Sequence, residues 1–265
     1  MFIEEYKEVL DLHKNVFQYY NMDKVAYFDI ETTGFDKEED RVILISLGRF
    51  KDDKFFCIKQ YFAEDLEDEK EILYNFKKDL LEYKKWCSYN GIAFDEPFIK
   101  KRMEKQNIIF ESPKYHIDLY RLIRPYYRQM GMERCNLKTV EKYIGIERED
   151  KIDGGISVDL YKEFLLTSNK ELKKKIMLHN YEDVLSLPKI HELIFKIEND
   201  HDLVRENVIT KKQCRYLKSL LKKNNIVLNV DIDRISKKAA ARAIDNILRG
   251  FVDCNELEEI ISNSY

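Results

Sequence analysis

The sequence predicts an α/β domain, a mixed sheet covered by helices, followed by a small, basic, mostly helical module. Three observations carry that expectation. Short apolar runs rich in strand formers lie within the first 90 residues, helical spacing governs most of the chain beyond them, and the charge balance reverses past residue 200. The chain's 265 residues suffice for one domain or two, and 44% hydrophobic with 36% charged residues describe a globular protein with a heavily charged surface.

Residues 2–20 place Phe2, Tyr6, Val9, Leu10, His13 and Phe17 at a helical spacing, so a first helix is expected there. Residues 25–30, Val-Ala-Tyr-Phe-Asp-Ile, form a strand closed by the turn signal Thr32-Thr33-Gly34. Residues 42–50 and 55–62 read as two further strands joined by the hairpin turn Lys51-Asp52-Asp53-Lys54. From 69 to 83 the period is helical, with Ile72, Leu73, Phe76, Leu80 and Leu81 on one side. Residues 86–89 are a short buried strand ending at Asn90-Gly91. Helices are then expected over about 95–105, 119–128, 137–144, 158–166 and 171–197.

Asn199-Asp200-His201-Asp202 is polar and aperiodic, a linker that divides the chain into 1–200 and 205–265. Thr210 and Gln213 form a capping box opening a helix through 221. Residues 226–230 suit a small strand or extended segment, and Ser236 caps a last helix through 248, closed by Gly250. Between Arg205 and Gly250 the chain carries 12 Lys and Arg against 4 Asp and Glu, a net +8 inside a total of −3, which leaves −11 elsewhere. The expected partner of such a basic segment is nucleic acid, with Lys211, Lys212 and Arg215 contacting phosphates; a solvated face docked on the acidic domain is the alternative.

No stretch reaches the apolar length of a membrane span, so no membrane partner is expected. The acidic start Met1-Phe2-Ile3-Glu4-Glu5 lacks the basic residues of a secretory signal. Five scattered cysteines without a Cys-x-x-Cys read as reduced thiols, and the expected location is cytoplasmic.

Three acidic patches carry the chemistry. Asp29 and Glu31 are two apart on a strand and so project to one side, while Ala26, Phe28 and Ile30 pack on the other. Adjacent carboxylates at a strand end are either solvated or neutralised by a hard divalent cation such as Mg2+ or Mn2+. Asp95 stands between Phe94 and Phe98 just before a helix, where it is either an N-cap or a carboxylate aimed at the first strand. His179 and Asp183 are four apart on one helix and share a face. They form either a surface pair or a metal ligand with a general base beside it, since an imidazole can titrate near neutrality.

Taken in order, the runs Phe28-Asp29-Ile30-Glu31-Thr32-Thr33-Gly34, Asn90-x-x-x-Phe94-Asp95 and His179-x-x-x-Asp183 resemble the DEDD exonucleases of the RNase H-like superfamily. Further residues narrow this: His116-Ile117-Asp118-Leu119, Asn136 to Glu141, Gly145-Ile146-x-Arg148-x-x-x-x-Asp153-Gly154 and His179-Asn180-x-x-Asp183-x-x-Ser186-Leu187 are similar to the YprB-type ribonuclease H-like family. The resemblance covers roughly residues 22–197. It implies an RNase H-like fold and a metal-dependent 3′–5′ exonuclease acting on a single-stranded end of DNA or RNA. Two Mg2+ or Mn2+ ions would be held by Asp29, Glu31, Asp95 and Asp183, with His179 as base. Thr32, Thr33 and Gly34 would let backbone approach a terminal nucleotide, Phe94 with Phe35 could stack on a base, and Asn90 is a loop stabiliser or a substrate contact.

The family usually places its base as Tyr four residues before the last Asp, or His five before it. Here His stands at the Tyr spacing, and Tyr181 lies two before Asp183. That departure keeps open a nucleic-acid-binding scaffold with a silent site, beside a structure-selective or RNA-processing nuclease using the same residues.

Overall fold

A run of β-branched and aromatic residues makes β2 (Val25–Thr32) a strand buried on both faces, and the sheet is assembled around it. In the computed structural model, which describes residues 1–152, 154–262 and 264, six strands pair in the order β1-β4-β3-β2-β5-β6. β3 (Val42–Phe50) lies antiparallel to β2, with Tyr27 opposite Gly48, Asp29 opposite Ser46 and Glu31 opposite Leu44. β4 (Phe55–Phe62) continues the antiparallel side, whereas β5 (Lys85–Ser88) and β6 (Tyr115–Asp118) add parallel strands beyond β2.

The first helix expected over 2–20 is instead an edge strand followed by a short helix: β1 (Phe2–Val9) pairs with β4, and α1 runs from Lys14 to Tyr20. A spacing of four, as between Phe2 and Tyr6, fits a strand's period of two as well as a helical turn. Side chains of β1 alternate half-buried and exposed, and Tyr6 packs on Tyr181 with ring centroids 4.7 Å apart. The helix expected over 119–128 stops early, as α4 (Leu119–Ile123). Pro125 lacks an N–H and disfavours helical backbone at Arg124. Residues 226–230 form no strand, and β6 escapes a reading by apolar runs because its four residues include His116 and Asp118.

One face of the sheet is covered by α2 (Glu69–Leu80) and α3 (Asp95–Lys105). Ile72, Leu73, Phe76, Phe98, Ile99 and Met103 join Ala26, Phe28 and Ile30 in one core cluster. The joint is fixed by a buried ion pair: Arg102 donates to both oxygens of Glu69 at 2.8 Å, and Glu69 also accepts the Val42 N–H. The other face meets the long helix α7 (Lys170–Asn199). Their approach depends on Gly48, where a Cβ would lie 2.8 Å from Val184 Cγ1 and 2.3 Å from the Phe56 ring. Between α3 and α7 the chain also forms α5 (Leu137–Tyr143) and α6 (Gly154–Thr167).

The chain divides into two compact units, Met1–Leu119 with Glu141–Leu193, and Tyr120–Val140 with Ile194–Tyr265. The second thus takes in residues 120–140 besides the C-terminal stretch. Its helices α8 (Lys211–Lys223), α9 (Lys237–Leu248) and α10 (Cys254–Ser262) bury Leu217, Leu220, Ala239, Ala243, Leu257 and Ile261 in a core of their own. The capping box at Thr210 and Gln213 and the Ser236 cap form as expected, whereas α10 is an addition to the expected elements. Among the described residues, no helix is long and apolar enough to cross a membrane.

Candidate active site

β2 delivers Asp29 and Glu31 to the face that meets α7, as its alternation requires, while Phe28 and Ile30 point into the core. A bulge follows Glu31, where the register with β3 shifts and pairing ends. α7 crosses this face antiparallel to β2. Its His191 meets the Tyr27 hydroxyl at 3.2 Å, its Asn180 donates to Asp29 at 2.7 Å, and its His179 Nε2 lies 3.7 Å from Glu31 Oε1. His191 is wholly buried and pushed down to about 3, so it is a neutral packing residue stacked on Tyr20.

Asp95 arrives from the other direction, in the first turn of α3 and 4% exposed. Phe94, not Asp95, takes the N-cap position, and its ring packs against Phe98 and Phe35. The loop before it turns at Asn90, whose φ of 66° is left-handed, and whose N–H donates to Asp118 at 2.8 Å. Gly91 is required here, because a Cβ would lie 2.2 Å from Ser88 Oγ. The loop is braced further by His116, which bonds Ser88 at 2.7 Å and Glu96 at 2.6 Å.

Burial and mutual repulsion raise Asp29, Glu31 and Asp95 together. Asp29 is pushed well above the usual carboxylate range by burial, then by Asp183, Asp95 and Glu31, against the Asn180 hydrogen bond. Glu31 rises for the same first two reasons, burial and Asp183. Asp95 is pushed up to about 7 by burial, with Asp118 and Asp183 adding to it and the amides of Asp95 and Ile30 opposing. The structure therefore brings Asp29, Glu31, Asp95, Asp183 and His179 into one largely buried cluster. Ligand atoms of Glu31, His179 and Asp183 lie within 4.8 Å of one another. An array of buried oxygens that repel one another, with an imidazole nitrogen among them, suits a divalent cation.

One cation is already built in. Arg148 bonds Asp183, lies 3.2 Å from Glu141, 3.3 Å from Asp150 and 3.3 Å from Glu182, and donates to the His179 carbonyl at 2.9 Å. Glu141 is raised by burial, and Arg148 opposes that rise. A polar chain crosses the sheet behind Asp29: Gln60 donates to Ser46, Ser46 donates to Asn180, and Asn180 donates to Asp29.

Of the remaining expected residues, Thr32 and Thr33 spend their hydroxyls inside the loop, on the Gly34 carbonyl and on Asp40. Gly34 leaves room for the Asp40 carboxylate, 2.3 Å from where its Cβ would lie. Lys211, Lys212 and Arg215 are exposed on α8 in the second unit. Asp153 lies outside the described residues. The sequence motifs contain Arg148 and Asn180 without assigning them a task, and they miss Asp150, Ser46 and Gln60. The available signal was Ser46 and Gln60, polar residues inside largely apolar strands.

Comparison with known proteins bears on the family and the fold. The family model described as RNase_H superfamily matches residues 26–195. The chain is 30% identical over 176 residues to the uncharacterized protein YprB of Bacillus subtilis (strain 168), an alignment covering 65% of this chain. It spans 42% of that relative's length. It is also similar to a family B DNA polymerase from the hyperthermophilic archaeon Pyrobaculum calidifontis, with a TM-score of 0.52 and 18% identity over 64% of this chain and 24% of the polymerase. At that identity the polymerase speaks to the fold alone.

Proposed function

The chain belongs to the RNase_H superfamily, with a mixed six-stranded sheet flanked by helices, and on that premise we propose that it is a metal-dependent nuclease that removes nucleotides from a 3′ end. The observation that carries the reading is the meeting of Asp29, Glu31, Asp95 and Asp183, from three separated segments, in a largely buried cluster that shifts the carboxyls of Asp29, Glu31 and Asp95 upward. Those four side chains would hold Mg2+ or Mn2+. Bound there, divalent ions would acidify water and offset charge developing on phosphorus.

The other steps belong to the protein's own groups. His179 Nε2, facing Glu31 and Asp183 at 3.7 and 3.8 Å, would take the proton of the attacking water. Asn180 holds Asp29 in place from behind, and the Asn90–Asp118 contact holds the loop that presents Asp95. Phe35, 85% exposed and packed edge-on to Phe94, offers a ring to a terminal base. In the second unit, the exposed Lys211, Lys212 and Arg215 would neutralise phosphates of a nucleic acid.

A second reading, a nucleic-acid-binding scaffold with a silent site, is favoured by Arg148, which already neutralises Asp183. One assay separates the two. Purified protein is incubated with end-labelled single- and double-stranded DNA and RNA in Mg2+, Mn2+ or EDTA. A ladder shortening from the 3′ end in metal alone is expected. Internal cuts would indicate a structure-selective nuclease, and retention of label with binding in every metal would indicate the scaffold.

A further inference from the structure

A base at His179 needs its lone pair on Nε2, and an imidazole does not choose that tautomer unaided. We propose that Asp150 is a positioning residue that fixes the His179 ring with the proton on Nδ1 and the bare Nε2 turned toward Glu31 and Asp183. The inference rests on the nuclease reading for its purpose, though not for its geometry.

His179 Nδ1 lies 2.6 Å from Asp150 Oδ2, and both side chains are buried, at 5% and 3% exposure. A carboxylate only accepts, so the nitrogen facing it must donate. Arg148 Nη2 also approaches Nδ1 and, as a donor, would favour a bare Nδ1, but at 3.5 Å that contact is weak beside the 2.6 Å contact with Asp150. Its own bond to Asp150, at 3.3 Å, instead offsets the carboxylate's charge.

Asp150 is held from several sides, although residues 146–152 have no regular structure. Asp150 Oδ1 accepts the Ile152 N–H at 2.8 Å, which commits that oxygen and leaves Oδ2 for the ring. The backbone N–H groups of Glu149 and Asp150 donate to the two oxygens of Glu182 on α7, at 2.9 and 3.0 Å. Glu182 thus ties the segment to the same helix that carries His179. The remaining ring nitrogen, Nε2, faces Glu31 and Asp183, where its lone pair would take the proton of a water molecule.

The test reads the ring directly. Protein labelled with 15N at histidine, kept metal-free in buffer alkaline enough to hold imidazoles neutral, reports by long-range 1H–15N correlation which nitrogen carries the proton. The expected wild-type result is a protonated Nδ1 and a bare Nε2 at His179. In Asp150→Ala the proton should move toward Nε2, and cleavage should fall about 10- to 100-fold in kcat with KM little changed. Should the alanine variant fail to fold, Asp150→Asn keeps the shape. Its oxygen stays on the Ile152 N–H, its amide nitrogen donates to Nδ1, and the proton is forced to Nε2. A wild-type ring protonated on Nε2, or a ring indifferent to both substitutions, overturns the proposal. A wild-type protein that binds but never cleaves would sink the nuclease reading while leaving the ring result to judge Asp150 by itself.

Discussion

Asp95 holds a carboxyl pushed up to about 7 with only 4% of the residue exposed, and that shift makes the cluster a source of instability in metal-free protein. A folded-state value raised above the unfolded one means that the folded chain binds the proton more tightly. The associated stability is present below the unfolded value of 3.8 and is lost as pH climbs through about 7. Asp29 and Glu31 are shifted the same way, so their contributions add in sign. Thermal unfolding in EDTA should therefore show Tm falling between pH 4 and pH 7, by an amount on the order of a few kcal/mol of stability. Mn2+ should abolish the fall, because ions that bind the ionised cluster stabilise only the folded state. A Tm that rises through this range in EDTA would refute the charge arrangement. By the same argument, Asp29→Asn should raise metal-free stability while lowering cleavage at least about 1,000-fold, several kcal/mol of transition-state stabilisation. These carboxyls were legible in the sequence because each interrupts an apolar pattern at a fixed place, a strand end or a helix start. Asp150 was not, since its meaning comes from Nδ1 of a residue 29 positions away, and no local period encodes that contact.

Elements set how well those residues can be placed. α7 reaches β2 and β3 only because Gly48 leaves space, and the Cβ of Gly48→Ala would meet Phe56 and Val184 at under 3 Å. Overpacking of this kind costs about 1–3 kcal/mol, readable as a lower urea midpoint at unchanged m-value. The joint between α2, α3 and β3 is more demanding. Arg102→Ala would strand Glu69, 1% exposed, without its two charge-assisted bonds, at a cost of about 3–5 kcal/mol. Because Asp95 begins the helix that carries Arg102, Mn2+ affinity measured by titration should weaken in the same variant. Unchanged stability would show that the pair is not buried as described. The hairpin of β3 and β4 and the start of α3 could be read from sequence, since strand formers and Pro97 define them locally. β1 could not, because Phe2 and Tyr6 satisfy two periods at once and the partner that decides between them, β4, lies more than 50 residues away.

At the scale of the molecule, the chain separates its charges: the residues from Arg205 to Gly250 carry net +8, and the rest carries −11. The helices of this segment were expected from their caps, Thr210 and Ser236, and both caps form. Its use as a nucleic-acid surface is the part that sequence and fold leave to experiment, because a basic amphipathic helix serves equally as a solvated face. Salt dependence distinguishes the two. Each phosphate neutralised on a single strand contributes about −0.7 to the slope of log K against log salt concentration. Replacing Lys211, Lys212 and Arg215 together by Glu should weaken binding of a labelled oligonucleotide, measured by anisotropy in EDTA. It should also flatten that slope by about 2 if all three contact phosphates. These side chains are exposed and outside the Leu217, Leu220 and Leu221 core of their helix, so Tm should move by less than about 0.5 kcal/mol equivalent. An unaltered slope with unaltered Tm would make α8 a solvated face, and the first unit alone would then have to capture its substrate against its own negative charge.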